Sequence, residues 1–117
     1  MANSADFLEH VVDLARAVGP ADARRMFGGH GVYVDGVIVG LVVDDTLYLK
    51  TDAETLPAFR ARGLEPFTFE KTKSGEVVIT SYVQAPEEAL DSPAQMLEWA
   101  RLAYAAALRS SAKKKKK

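Results

Sequence analysis

Arginine, glycine and histidine crowd into one short segment, Arg24-Arg25-Met26-Phe27-Gly28-Gly29-His30-Gly31, where ligand chemistry would first be sought. Clustered glycines serve where backbone amides cradle a phosphate, and a basic pair beside them would add charge. That chemistry needs the glycines between a strand and a following helix, with Gly-Lys-Ser/Thr behind them. Here they precede Val32-Tyr33-Val34, an alternating strand pattern, and no such tripeptide follows. A bulge or sharp turn between strands is the reading these residues favour.

The remaining reactive groups are dispersed. His10 and His30 are the only histidines, and no pair stands at i, i+4. A metal centre wants three or four ligands with supporting hydrogen bonds, so no metal and no cofactor are expected. The absence of cysteine excludes disulfides, thiolate ligands and a cysteine nucleophile. Asp44-Asp45 and Glu87-Glu88 are adjacent carboxylates, but they fall in a turn and a helix start, both wet places. Acid–base catalysis needs environments that drive two pKa values apart. Ser74, Ser81 and Ser92 lack a nucleophile-elbow context. No enzyme is expected. Tyr33, Tyr48 and Tyr82 would make an aromatic surface for bases or peptides, or, the favoured reading, half-buried sheet residues.

These side chains must be positioned by elements the pattern makes visible. Phe7, Leu8, Val11, Val12, Ala15 and Val18 recur at helical spacing over 5–18, with Gly19-Pro20 as the stop. The period then changes to two. Arg24 to Phe27 reads as a short strand, Val32 to Val34 as the next, and Asp35-Gly36 as a tight hairpin turn. Val37 to Val43 and Thr46 to Lys50 continue the meander around Asp44-Asp45. Thr51-Asp52-Ala53-Glu54 has capping-box spacing ahead of a helix ending at Gly63, with Pro57 making its first turn irregular. A second hairpin follows, with Phe67, Phe69 and Lys71 on one face, a turn at Ser74-Gly75 and a return over Val77 to Val83. One helical turn is expected at Glu87 to Leu90. Ser92-Pro93-Ala94-Gln95 then opens a last helix to about Arg109.

With 117 residues, one domain over 1–110 is expected, followed by a disordered basic tail over 111–117. Charge is unevenly spread. Lys113, Lys114, Lys115, Lys116 and Lys117 hold five of the fifteen basic groups, leaving ten basic against sixteen acidic residues before them. An acidic globule suits DNA poorly. No apolar run approaches the roughly twenty residues of a membrane helix, and no leader pattern opens the chain, so a cytoplasmic protein without membrane contact is expected.

Several segments, in order, carry a family resemblance over residues 20–108. They are Arg25-Met26-Phe27-Gly28-Gly29, Gly31-Val32-Tyr33 with Asp35-Gly36, and Asp44-Asp45-Thr46-Leu47-Tyr48-Leu49-Lys50. Gly63-Leu64-Glu65-Pro66-Phe67, Ser81-Tyr82 before Ala85-Pro86-Glu87, and Leu97-Glu98-Trp99-Ala100-Arg101 complete them. Together they resemble the N-terminal domain of the TfoX/Sxy family of bacterial competence regulators. The resemblance implies an α+β, two-layer domain, a curved antiparallel sheet of meander plus hairpin with helices on one side, similar to secretion chaperones. Longer members of that family act as positive regulators of DNA-uptake genes beside the cyclic-AMP receptor protein, the regulatory role the resemblance points toward.

Three functions follow as expectations. The first is a non-enzymatic regulatory or adaptor domain acting through protein contacts, with a transcriptional regulator as partner. The second is weak nucleic-acid binding through the lysine arm, salt-dependent and blind to sequence. The third is a small-molecule site at the Arg25–His30 bend, if Arg25, His30 and Tyr33 or Tyr48 converge. The interaction residues expected are Arg24, Arg25, Phe27, Gly28, Gly29, His30, Tyr48 and Tyr82. A homodimer is expected too, because a few-stranded sheet covered on one side leaves a face or an edge open, with Tyr48, Tyr82 and the neighbouring β-branched residues as candidates to lie there. Trp99 with Tyr104 offers a second contact surface.

Overall fold

The computed structural model describes residues 4–26, 29–71 and 73–115. Helix α1 spans Ala5–Ala15, three residues shorter than its apolar pattern. The Ser4 side chain accepts from the Phe7 amide, satisfying one orphan donor of the first turn. Val11 and Leu14 are buried on its inner face.

A meander of four strands follows: β1 (Ala21–Met26), β2 (Gly29–Val34), β3 (Val37–Val43) and β4 (Thr46–Lys50). β1 starts three residues earlier than the sequence suggests, because Ala21-Asp22-Ala23 has little intrinsic strand preference and owes its conformation to pairing with Val32 to Val34. The turns behave as read. Asp35 and Gly36 have φ of 52° and 79°, and Asp44 and Asp45 have 51° and 55°, the left-handed pairs that match hairpin twist. Val32 pairs with Gly40 and Tyr33 with Ile38, so Val39 is an extra residue in β3, and it is buried. Such a bulge sharpens the local twist.

The capping box at Thr51 does not form. Thr51 is buried and its hydroxyl donates to the Ser81 carbonyl at 2.7 Å. Asp52 takes over, its Oδ1 accepting from the amides of Glu54 and Thr55. Helix α2 is accordingly short, Leu56–Arg60 with Pro57 in its first turn, and it buries Phe59.

Strands β5 (Pro66–Glu70) and β6 (Val77–Gln84) form the second hairpin. β6 pairs with β4 as well, giving the antiparallel order β1-β2-β3-β4-β6-β5. A 3₁₀ turn at Glu87–Leu90 leads to helix α3, Pro93–Lys115. Ser92 Oγ accepts from the Gln95 amide at 3.2 Å, the expected cap. The helix runs six residues past Arg109. Ser110 to Lys115 holds no glycine or proline to stop it, and lysines favour a helix C-terminus.

All three helices cover one face. Val11, Phe59, Met96 and Ala100 share a core with Val32, Val42, Leu47, Leu49 and Val83 of the sheet. Full burial of a side chain such as Leu49 or Phe59 contributes about 1.5–3 kcal/mol. The domain is α+β, a curved antiparallel sheet with helices on one side.

Candidate functional site: a cleft on the helix-free face

The opposite face of the sheet carries the aromatic residues. Tyr48 of β4 and Phe67 of β5 stand with ring centroids 5.0 Å apart, and Phe67 meets Phe69 at 6.4 Å. The Arg24 guanidinium lies 4.8 Å over the Tyr33 ring, and Lys50 Nζ lies 5.2 Å from the Tyr82 centroid. Cations over aromatic faces at such distances contribute about 0.5–1 kcal/mol when exposed. Burial pushes the Tyr82 hydroxyl above the usual tyrosine range, and the nearness of Tyr33 raises it further. Tyr33 and Tyr82 sit on β2 and β6, with two strands between them, so the sheet must curl to bring them into mutual influence.

That curl makes a cleft of about 410 Å³. Met26 comes from one sheet edge, β1, and Phe67 and Phe69 from the other, β5. Leu41 and Val43 of β3 and Thr80 and Tyr82 of β6 lie between, with His30 at the border. The volume falls in the range of ligand and anchor-residue pockets, and the lining is mostly apolar with few polar groups.

Two local devices shape it. Gly31 leaves space that a Cβ would contest, with Met26 Sδ 2.5 Å from that position and Ile38 Cδ1 and Tyr33 Cε1 each at 3.1 Å. A Cβ at Gly29 would meet the Val42 carbonyl oxygen at 2.5 Å. The glycines therefore serve close packing between strands rather than a phosphate. On the far wall the β5–β6 register shifts between Pro66 and Thr68. Thr80 Oγ1 bridges that irregularity, donating to the Phe67 carbonyl at 2.9 Å and accepting from the Tyr82 amide at 3.2 Å.

The structure distributes the expected interaction residues unevenly. Tyr82 and His30 line the cleft, Tyr48 supports Phe67, and Arg24 lies over Tyr33. Arg25 and its cross-strand partner His30 share a face, by strand alternation the one away from Arg24, so His30 reaches the cleft only at its border. The expected meeting of Arg25 and His30 with Tyr33 or Tyr48 is replaced by a cleft bordered by His30 and built from β3, β5 and β6. Phe27 and Gly28 lie outside the described residues, as do Lys116, Lys117 and the side chains of Lys113, Lys114 and Lys115. Trp99 and Tyr104 are engaged within the molecule. Trp99 meets the Phe59 ring at 5.2 Å with Arg62 above it at 5.6 Å, and the Tyr104 hydroxyl is 3.5 Å from Asp35 Oδ2.

Sequence reasoning missed Met26, Leu41, Val43, Phe67, Phe69 and Thr80. The alternation Phe67–Phe69 was the one available signal, and it did not say which distant strands would face it.

Three further sets of titratable groups tie elements together. His10 Nε2 donates to the Leu90 carbonyl at 2.8 Å. Glu88 is held by Arg62 in a two-bond fork, which keeps its carboxyl below the ordinary range. Arg109 binds Asp52 through two nitrogens, at 2.5 and 3.0 Å, with Glu54 at 3.1 Å. Among the described residues no three His, Asp or Glu side chains converge as metal ligands, and no helix is long and apolar enough to cross a membrane.

Fold and site together define a small α+β domain whose curled sheet presents an aromatic, apolar cleft on its uncovered face. The chain belongs to the TfoX N-terminal domain family, whose model matches residues 13–107. This is a family of competence-regulator-like domains. No curated protein matches the chain.

Proposed function

We propose that this chain is a non-catalytic regulatory adaptor that holds apolar anchor residues of a transcription-regulating protein in the cleft between β1 and β5. The observation that carries the reading is the cleft itself, apolar and about 410 Å³, on the sheet face the helices leave open. Aromatic side chains with a single polar handle are the residues protein interfaces favour. Family membership supplies the regulatory context, and genes for DNA uptake are the natural targets. The adaptor reading outranks a nucleic-acid clamp because the sixteen acidic groups outnumber the ten basic groups that precede the lysine run.

The test is transcriptional. Phe69 is 46% exposed, so Phe69→Asp leaves the fold intact while charging the cleft wall. Carried on the chromosome, the variant is expected to reproduce the transcript changes caused by deleting the gene. A deletion that leaves the transcript profile untouched contradicts the regulatory reading. A deletion effect that Phe69→Asp does not reproduce removes the cleft from it.

A further inference from the structure

The β5–β6 hairpin reaches beyond its support. β4 pairs with β6 only at Tyr82 to Gln84, so among the described residues Val77 to Thr80 have a strand on one side and none on the other. Backbone direction along β6 is fixed by three bonds. Gln84 N donates to Glu65 O and Lys71 N to Glu76 O, so even-numbered residues face β5, while Ser81 O accepts from Thr51 N on the β4 side. Val77 and Ile79 therefore aim their amide and carbonyl groups at the open edge. Their side chains are exposed as well, 61% and 70%. With Phe69 they make three of the five large apolar side chains exposed among the described residues. The strand Val77-Val78-Ile79-Thr80-Ser81-Tyr82-Val83-Gln84 contains no charge and no proline. An open, β-branched, uncharged edge is a template for another strand, and such edges are normally blunted by charge, proline or a covering element.

We infer that this edge pairs with the same edge of a second copy, giving a homodimer with one continuous sheet across its two-fold axis. An antiparallel register with Val77 opposite Ile79 of the second copy satisfies the open amides and carbonyls of both residues on both chains. The strand of the second copy then fills the line that β4 vacates after Lys50. Glu76 of the second copy falls opposite Thr80, two positions along that line from Lys50, and the two-fold axis repeats this meeting of opposite charges. The side chain of Val77 of the second copy comes to the lip of a hollow of about 210 Å³ in which Leu56, Leu64, Ile79 and Val83 stand beside the polar Asp52 and Arg60. Self-complementary register, opposite charges at the ends and a partly apolar hollow beside the edge together favour a second copy of this chain over an unrelated strand. The paired residues Val77 and Ile79 do not line the cleft, which the interface borders only at Thr80, so Ile79→Lys and Phe69→Asp test dimerisation and the adaptor role separately.

Sedimentation equilibrium of the full chain at micromolar concentrations tests the inference, alongside hydrogen exchange. The expected result is a species of twice 12.7 kDa. The Val77 and Ile79 amides are expected to become protected as concentration rises. Ile79→Lys, at an exposed site, is expected to keep the circular dichroism spectrum and to raise the dimer dissociation constant at least tenfold. A single 12.7 kDa species across the range overturns the inference. So does a dimer in which Ile79→Lys associates as tightly as the parent chain, because the interface then lies elsewhere.

Discussion

Gly29 and Gly31 show how a two-residue spacing can serve two different constraints. At Gly29 the obstacle to a side chain is the Val42 carbonyl, which belongs to a paired strand and has nowhere to go. At Gly31 the first obstacle is Met26 Sδ, the end of a flexible side chain. Gly29→Ala is therefore expected to destabilise by more than about 2 kcal/mol, in the upper range of overpacking costs, and Gly31→Ala by roughly half as much. Denaturant unfolding of the two variants checks the order. Equal costs would mean that strand separation, rather than the Val42 carbonyl, governs the site. The phosphate-loop reading of these glycines fails for the same physical reason, since both sit within strand pairing where their amides face other strands.

Between elements, the loop after β4 is tied to α3 by charge. Hydrogen bonding from Arg109, aided by the Thr55 and Glu54 amides, lowers the Asp52 pKa to about 2, against an ordinary 3.8. A folded-state pKa below the unfolded one gives stability that is complete above about pH 4 and disappears as pH falls toward 2. Asp52→Asn is expected to flatten that acid limb while lowering stability at pH 7, and thermal melts from pH 2 to 7 measure both. An unchanged acid limb would show that other carboxylates set it. This loop also marks where the sequence was hard to read. Thr51 and Glu54 have capping spacing, yet Thr51 is drawn into the sheet by Ser81, a partner thirty residues away. Turns and caps whose partners are local, at Asp35-Gly36, Asp44-Asp45 and Ser92, were legible. The start of β1, the end of α3 and the bulge at Thr80 depend on non-local pairing or on a missing stop signal. The cleft depends on them most of all, because its walls are strands at opposite edges of the sheet.

Across the whole molecule, charge separates the globule from its last five residues. Residues 1–112 hold ten basic and sixteen acidic groups, so the globule alone repels a phosphate backbone. A chain truncated after Ala112 is expected to show no binding to duplex DNA at low salt. Any binding by the full chain is expected to fall steeply with added salt, as counterion release by five lysines dictates. Fluorescence anisotropy of both proteins decides this, and binding retained by the truncated chain would place a nucleic-acid surface on the globule. Occupation of the cleft by a transcription-regulating protein is read out by site-specific photo-crosslinking in the native host. A crosslinker at Val43, inside the cleft and away from the open edge of β6, is expected to capture a transcription-regulating protein. One at Leu97, on the exposed side of α3, is expected not to capture it. Capture of that protein from Leu97 alone, or only copies of this chain from Val43, would contradict the account.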